Sequence, residues 1–185
     1  EPGDVRNNNA MGLLLMRRAQ FAQAESYFRK AIETLMDRNP NPYDGEPLFN
    51  LGQCLRFLGR NDEAFDKFYK ATWNAAWQDA AYFNLAQISA GNADWAEALD
   101  TVSRSLIRNG HNHKARHLKV AVLRKLNQTE KAKELADESL KLDAFNLGVL
   151  FEKYLLSNEK DSLDQLLKLA NNNIHDFIEF SLDYA

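Results

Sequence analysis

The chain has 185 residues, 45% of them hydrophobic and 26% charged, with a formal net charge of -3. That is enough for one domain or one continuous repeat array with a substantial core, and the slightly acidic balance argues against a dedicated nucleic-acid binder. Cys54 is the only cysteine, which excludes an intramolecular disulfide and a cysteine-rich zinc site.

No apolar run approaches the roughly 20 residues of a membrane-spanning helix, so no membrane partner is expected. No secretory signal stands at Glu1-Pro2-Gly3, and a cytoplasmic location is the expectation. The chain begins without Met, as an excerpt of a longer protein would. Pro2, Pro40, Pro42 and Pro47 all lie at the N-terminal end. Alternating β-branched runs are absent, so the expected fold class is all-α.

A first helix pair is expected at about 7–36. It holds Gly12 and then Ala24, Glu25, Tyr27, Phe28 and Ala31. The segment Asn39 to Asp44 reads as a rigid surface loop, because proline disfavours helix in the residue before it. A second pair follows at about 46–76, with Gly52, Ala64, Phe65, Phe68 and Ala71. Gly59 suits a left-handed turn between its helices, and Asn61 or Asp62 suits a cap. Trp73 and Trp77, four apart, read as sharing one helix face and as core.

The third pair, at about 80–108, has Ala86, Ala98, Leu99, Val102 and Ser105, with a capping-box pattern at Asp94 and Glu97. Asn109-Gly110 ends it and Asn112 can start the next helix. A fourth pair at about 113–142 has Val120, Ala132, Lys133, Ala136 and Ser139. A fifth at about 147–170 has Leu166 where an alanine is expected, and a last helix starts near 173. The leading alanines at 24, 64, 98 and 132 are spaced by 40, 34 and 34 residues. Closely packed helices need small residues where their backbones approach, with larger ones such as Phe28 and Phe68 filling the grooves. Each pair leaves an apolar face that only a neighbouring pair can cover.

These residues resemble the tetratricopeptide repeat family: the 34-residue period, Leu51-Gly52, Leu55, Gly59, Ala64, Phe68 and Ala71, and again Tyr82, Leu85-Ala86, Trp95 and Ala98. The resemblance implies a right-handed α-solenoid of antiparallel helix pairs. It implies one array over 1–185, with repeats at about 5–38, 45–78, 79–112 and 113–146, a degenerate 147–171 and a terminal half-repeat 172–185. The proline expected near each repeat's end is replaced by Met36, Ala76, Gly110 and Ala144. The segments Asn39 to Pro47, Ala71 to Trp77 and Leu106 to His117 also resemble parts of large bacterial proteins. In those, a β-sandwich domain of unknown function, similar to sugar-binding domains, precedes such repeats.

The resemblance implies a protein-binding scaffold whose first helices line the concave surface. In that register the groove positions are Phe49, Asn50, Gln53 and Arg56, then Phe83, Asn84 and Gln87, then Lys114, His117 and Arg124. Amides can pair with a peptide backbone and guanidinium groups with carboxylates; solvated polar residues are the plain alternative. Some family members hold a partner's C-terminal carboxylate in a Lys/Asn/Arg clamp. Asn9, Asn50 and Lys114 stand near clamp positions, but Leu118 replaces the arginine, so the clamp is incomplete. A second reading is self-association or intramolecular docking in a larger, carbohydrate-related protein. Homodimerisation would use apolar array ends, Leu13 to Met16 at one and Ile174, Phe177, Ile178 and Phe180 at the other.

A distant third reading is a metal-dependent hydrolase built on His111, His113 and His117. Neighbouring Lys114, Arg116 and Lys119 oppose a bound cation. No phosphate-binding glycine loop or nucleophile elbow is present, so neither catalysis nor a cofactor is expected.

Overall fold

The computed structural model describes residues 3–37, 39, 44–158, 160–172, 175 and 178. Among them stand ten α-helices and no strand. They are α1 (Val5–Arg17), α2 (Phe21–Met36), α3 (Glu46–Phe57), α4 (Asn61–Ala71), α5 (Gln78–Gly91), α6 (Trp95–Arg108), α7 (His113–Lys125), α8 (Thr129–Leu142), α9 (Leu147–Ser157) and α10 (Lys160–Asn172). They fall into two compact units, one ending at Asn92 and the other beginning at Ala93.

The sequence period is a period of backbone chemistry. In α2, α4, α6 and α8 the leading alanine donates its N–H four residues back at 3.0 Å, to the carbonyls of Gln20, Arg60, Asp94 and Gln128. Five residues before each alanine the chain passes through left-handed backbone, at Ala19, Gly59, Ala93 and Asn127. Just past three of these turns, Gln20, Arg60 and Gln128 donate back to Leu15, Leu55 and Leu123 at 2.9 Å, satisfying carbonyls the preceding helix leaves open. Asp94 accepts from the Glu97 N–H, and Asn112 from the Ala115 N–H, as their spacing predicts. Neither Asn61 nor Asp62 is the cap of α4: Arg60 holds that place without a side-chain bond, because the turn residue Gly59 starts the helix one position early.

In the first unit α1 packs on α2, α3 on α4, and α2 and α4 on the first helices that follow them. A Cβ added at Gly12 would lie 2.5 Å from the Phe28 ring, and one at Gly52 would lie 2.7 Å from the Phe68 ring. Glycine therefore admits the phenylalanine, and both rings are fully buried. Burying each contributes about 1.5–3 kcal/mol. In the second unit the sizes are exchanged: Val120 takes the glycine position and Ala136 the phenylalanine position, in one cluster with Leu123, Ala132 and Val149. This pair is smaller than a glycine with a phenylalanine, and Leu123 and Val149 pack in the same cluster. Leu166, at the position expected to be alanine, is buried beside Leu147 and Leu150.

Two tryptophans depart from expectation. Helix α4 ends at Ala71, and Thr72–Trp77 is a turn, so Trp73 and Trp77 do not share a helix face. The Thr72 N–H is shared between the Phe68 and Tyr69 carbonyls, Trp73 and Asn74 reach only three residues back, and the Asn74 side chain accepts from the Ala76 N–H. Such tightening unwinds the end of a helix. Trp73 is 54% exposed, whereas Trp77 is half-buried and stacks on Phe49 at 4.8 Å.

At the array's N-terminal end, Leu15 is buried and Leu13 and Met16 pack on the core, leaving Met11 and Leu14 exposed. Ile178 is exposed; Ile174, Phe177 and Phe180 lie outside the described residues, as does most of the Asn39 to Asp44 segment.

Candidate functional site

Within each unit, neighbouring first helices are joined by polar side chains. In the first unit Asn9 of α1 donates to Glu46 Oε1 at 3.0 Å, and Asn50 of α3 donates to Asn9 Oδ1 at 3.0 Å. Both asparagines are buried, so each needs a partner, and each finds it on the adjacent first helix. One repeat further on, Arg56 Nη1 donates to Asn84 Oδ1 and to Gln87 Oε1, both at 2.7 Å. The Asn84 amide is oriented by its own donation to the Ala80 carbonyl at 2.8 Å, which turns its oxygen toward Arg56. Burial pulls the Arg56 guanidinium below its ordinary pKa.

In the second unit Arg124 of α7 grips Glu152 of α9 through two bonds, Nε to Oε2 at 2.5 Å and Nη2 to Oε1 at 3.0 Å. Glu152 is fully buried. This is a forked, charge-assisted pair inside a helix of mostly apolar residues. His117 lies against Gly148, where no side chain fits between the two helices. Lys114 is exposed.

The ten positions expected in the groove therefore divide. Asn50 and Asn84 are buried connectors, and Phe49 packs edge-on to Phe68 at 5.5 Å as well as on Trp77. Gln53, Arg56, Phe83, Gln87, His117 and Arg124 are half-buried, and Lys114 stands in solvent. Asn9, Glu46 and Glu152 take part without having been assigned to the groove. Glu152 carried a readable signal, since it is the one acid in the run Leu147 to Leu156. An acid is almost never fully buried unless it is paired.

A separate cleft of about 440 Å³ opens among α6, α7 and α8, lined by Leu99, Ser103, Lys119, Lys131, Glu134 and Glu138, among others. None of the ten groove positions lines it, and its lysines and glutamates offset one another. On the opposite helices of the first unit, Arg60 binds Glu25 at 2.8 Å and Glu63 at 2.6 Å, and Arg29 joins both acids. The side-chain bonds from Glu63 and Glu25 hold the Arg60 pKa above its ordinary value, and the Arg60 bond holds Glu63 below the usual carboxylate range.

Burial pushes the Cys54 thiol up to about 11, and its Sγ donates to the Phe21 carbonyl at 3.2 Å; an inert protonated thiol follows. Among the described residues no group of three or more His, Cys, Asp or Glu could hold a metal ion. His113 Nδ1 faces Asp143 Oδ2 at 3.8 Å instead, while His117 is turned to Gly148.

Residues 5–72 match the family model described as tetratricopeptide repeat. Solved structures share the fold over most of the chain. MamA (41-end) from Desulfovibrio magneticus RS-1 is 18% identical with a TM-score of 0.75, covering 92% of this chain and 96% of that one. YrrB, described as a TPR protein with an unusual peptide-binding site, is 15% identical with a TM-score of 0.70, covering 98% and 91%. PilF from Pseudomonas aeruginosa is 16% identical with a TM-score of 0.70, covering 90% and 73%. The fold class is that of the all-α helical-repeat solenoids. No helix among the described residues is long and apolar enough to cross a membrane.

Proposed function

From a chain that carries tetratricopeptide repeats, we propose a non-enzymatic scaffold that takes an extended segment of another polypeptide along its first-helix faces. The observation that carries this reading is the half-buried polar side chains on the first helices of each unit: Gln53 and Arg56 on α3 and Gln87 on α5 in the first, and His117 and Arg124 on α7 in the second. Side chains that are held by packing yet reach solvent lose little freedom on binding. Amides there can pair with a peptide backbone at any sequence. YrrB, with its peptide-binding site, is an analogy for this use. The alanine phase, carried in sequence from Ala24 to Ala132, supports reading the repeats as one array.

The test compares faces. A photo-crosslinking residue placed at Gln53 or Lys114 is expected to trap partner polypeptide. The same residue at Tyr69 or Ile107, exposed on second helices, is expected to trap little. Equal yields from all four positions would sink the reading.

A second reading, self-association through exposed Met11, Leu14 and Ile178, is favoured by their apolar exposure alone. Sedimentation across a concentration series decides it: a constant monomer mass removes it.

A further inference from the structure

We propose that Lys119 is a modification site: a nucleophilic amine in the cleft among α6, α7 and α8 that takes an acyl group from a thioester, with the acyl chain lying on the leucines of the cleft. Such a site stands apart from the groove positions, none of which lines this cleft.

Lys119 breaks the repeat. Leu51 and Leu85 stand in the same register, 68 and 34 residues before it, and each is only 1% exposed. A lysine at that place keeps its stem among apolar neighbours, and Lys119 is half-buried. The cleft of about 440 Å³ beside it is walled by Leu99, Leu123 and Leu135.

The next repeat also has a lysine in this register, and the two differ in their partners. Lys153 Nζ on α9 donates to Asp137 Oδ1 on α8 at 2.7 Å. Thirty-four residues before Asp137 stands Ser103 on α6, a neutral hydroxyl that donates to the Leu99 carbonyl at 2.6 Å. Among the described residues Lys119 has neither a hydrogen bond nor an ion pair. The charged groups around it are otherwise engaged or in water. Arg104 on α6 pairs with Asp100, Lys131 on α8 bonds Gln128, and Glu152 on α9 is taken by Arg124. Glu134 and Glu138 stand exposed on the cleft wall.

Burial first, and then the Arg116 cation one turn before it, bring the Lys119 amine below its ordinary pKa. An amine desolvated in an apolar pocket beside another cation is a nucleophile near neutral pH. Its nitrogen attacks the thioester carbonyl carbon. The C–N bond forms, the C–S bond breaks, and the sulfur leaves with the proton that the amine gives up. The products are an amide and a thiol, and no oxidant or reductant is needed. Lys67 is shifted in the same direction by burial, Lys70 and Arg29, but Asp66 and Glu63 work against it. It therefore serves as an internal comparison.

The experiment exposes the full chain briefly to acetyl or hexanoyl thioesters of N-acetylcysteamine, which carry no charge, and reads each lysine by peptide mass spectrometry. Lys119 is expected to be acylated roughly threefold or more faster than Lys125 and Lys141, because burial and a neighbouring cation leave more of its amine unprotonated near neutral pH. Its rate should reach a plateau at a lower pH than theirs, and its lead should be larger for hexanoyl than for acetyl. In urea the lead should vanish. Ser103→Asp supplies the acid that Lys153 already has, and is expected to bring Lys119 down to the rate of Lys153.

Labelling of Lys119 no faster than Lys67 or Lys125 overturns the proposal, as does a lead that persists in urea, which would be a property of the local sequence. A lead no larger for hexanoyl than for acetyl overturns the seating of an acyl chain on the leucines. These outcomes are read on the parent chain, so they decide the matter even where Ser103→Asp does not fold. Where it folds, an undiminished rate at Lys119 also overturns the proposal.

Discussion

At Ala19 and Ala93 a residue with a Cβ occupies left-handed backbone, at φ of 56° and 58°, in the turn where the intervening repeat has Gly59 at 74°. An L-residue there costs roughly 1–2 kcal/mol, while glycine's extra freedom in the unfolded chain costs about 0.4–1 kcal/mol. Ala19→Gly and Ala93→Gly are therefore each expected to raise stability by about 0.5–1 kcal/mol, and Gly59→Ala to lower it by about as much. Chemical denaturation of the three variants checks the sign. The Arg124 and Glu152 pair offers a second residue-level prediction. Removing the arginine alone leaves a buried carboxylate without its charge partner, so Arg124→Met is expected to cost about 3–5 kcal/mol. The double change Arg124→Met, Glu152→Leu is expected to recover most of that loss. A double variant no more stable than the single one would mean that the helices are positioned by something other than this pair.

Between elements, the decisive fit is a glycine on a first helix against a phenylalanine on the second. Gly52→Ala gains helix propensity of about 1 kcal/mol, but its methyl would lie 2.7 Å from a ring with no room to retreat. Overpacking of this kind costs about 1–3 kcal/mol, so the net effect is destabilising. In a Phe68→Leu background the same methyl enters space the ring has vacated. A double-mutant cycle is therefore expected to show a positive coupling of about 1 kcal/mol or more between the two sites. Additive effects would remove the steric account. This fit is also why the hairpins could be placed from sequence: a glycine opposite a phenylalanine stands at Gly12 and Gly52, and buried alanines recur at Ala64, Ala98 and Ala132. The wrong placement of Trp73 and Trp77 has the opposite cause. Local hydrogen bonding by Thr72 and Asn74 ended α4, and no apolar periodicity reports on that. The groove was legible only as a face. Asn50 and Asn84 look like their solvated neighbours in the sequence, and their burial depends on Asn9 and Arg56, each one repeat away.

Among the described residues, buried side chains gather in more than one cluster. Residues before Ala93 carry a cluster running from Leu15 to Ile88, and residues after Asn92 carry separate ones around Val120 and Leu150. In repeat proteins stability is close to a sum of local terms and neighbour terms, so opening need not be global. Two substitutions of one kind, placed in different units, make this measurable. Gly52→Ala forces a methyl against Phe68, and Gly148→Ala forces one against His117. Followed by amide hydrogen exchange, the first is expected to speed exchange mainly in α1 to α5 and the second mainly in α7 to α10. Each effect should scale with its own loss of stability. Exchange rising equally throughout the chain in both variants would show one cooperative body. The acylation of Lys119 would then have to be read against the stability of the entire chain rather than that of its own unit.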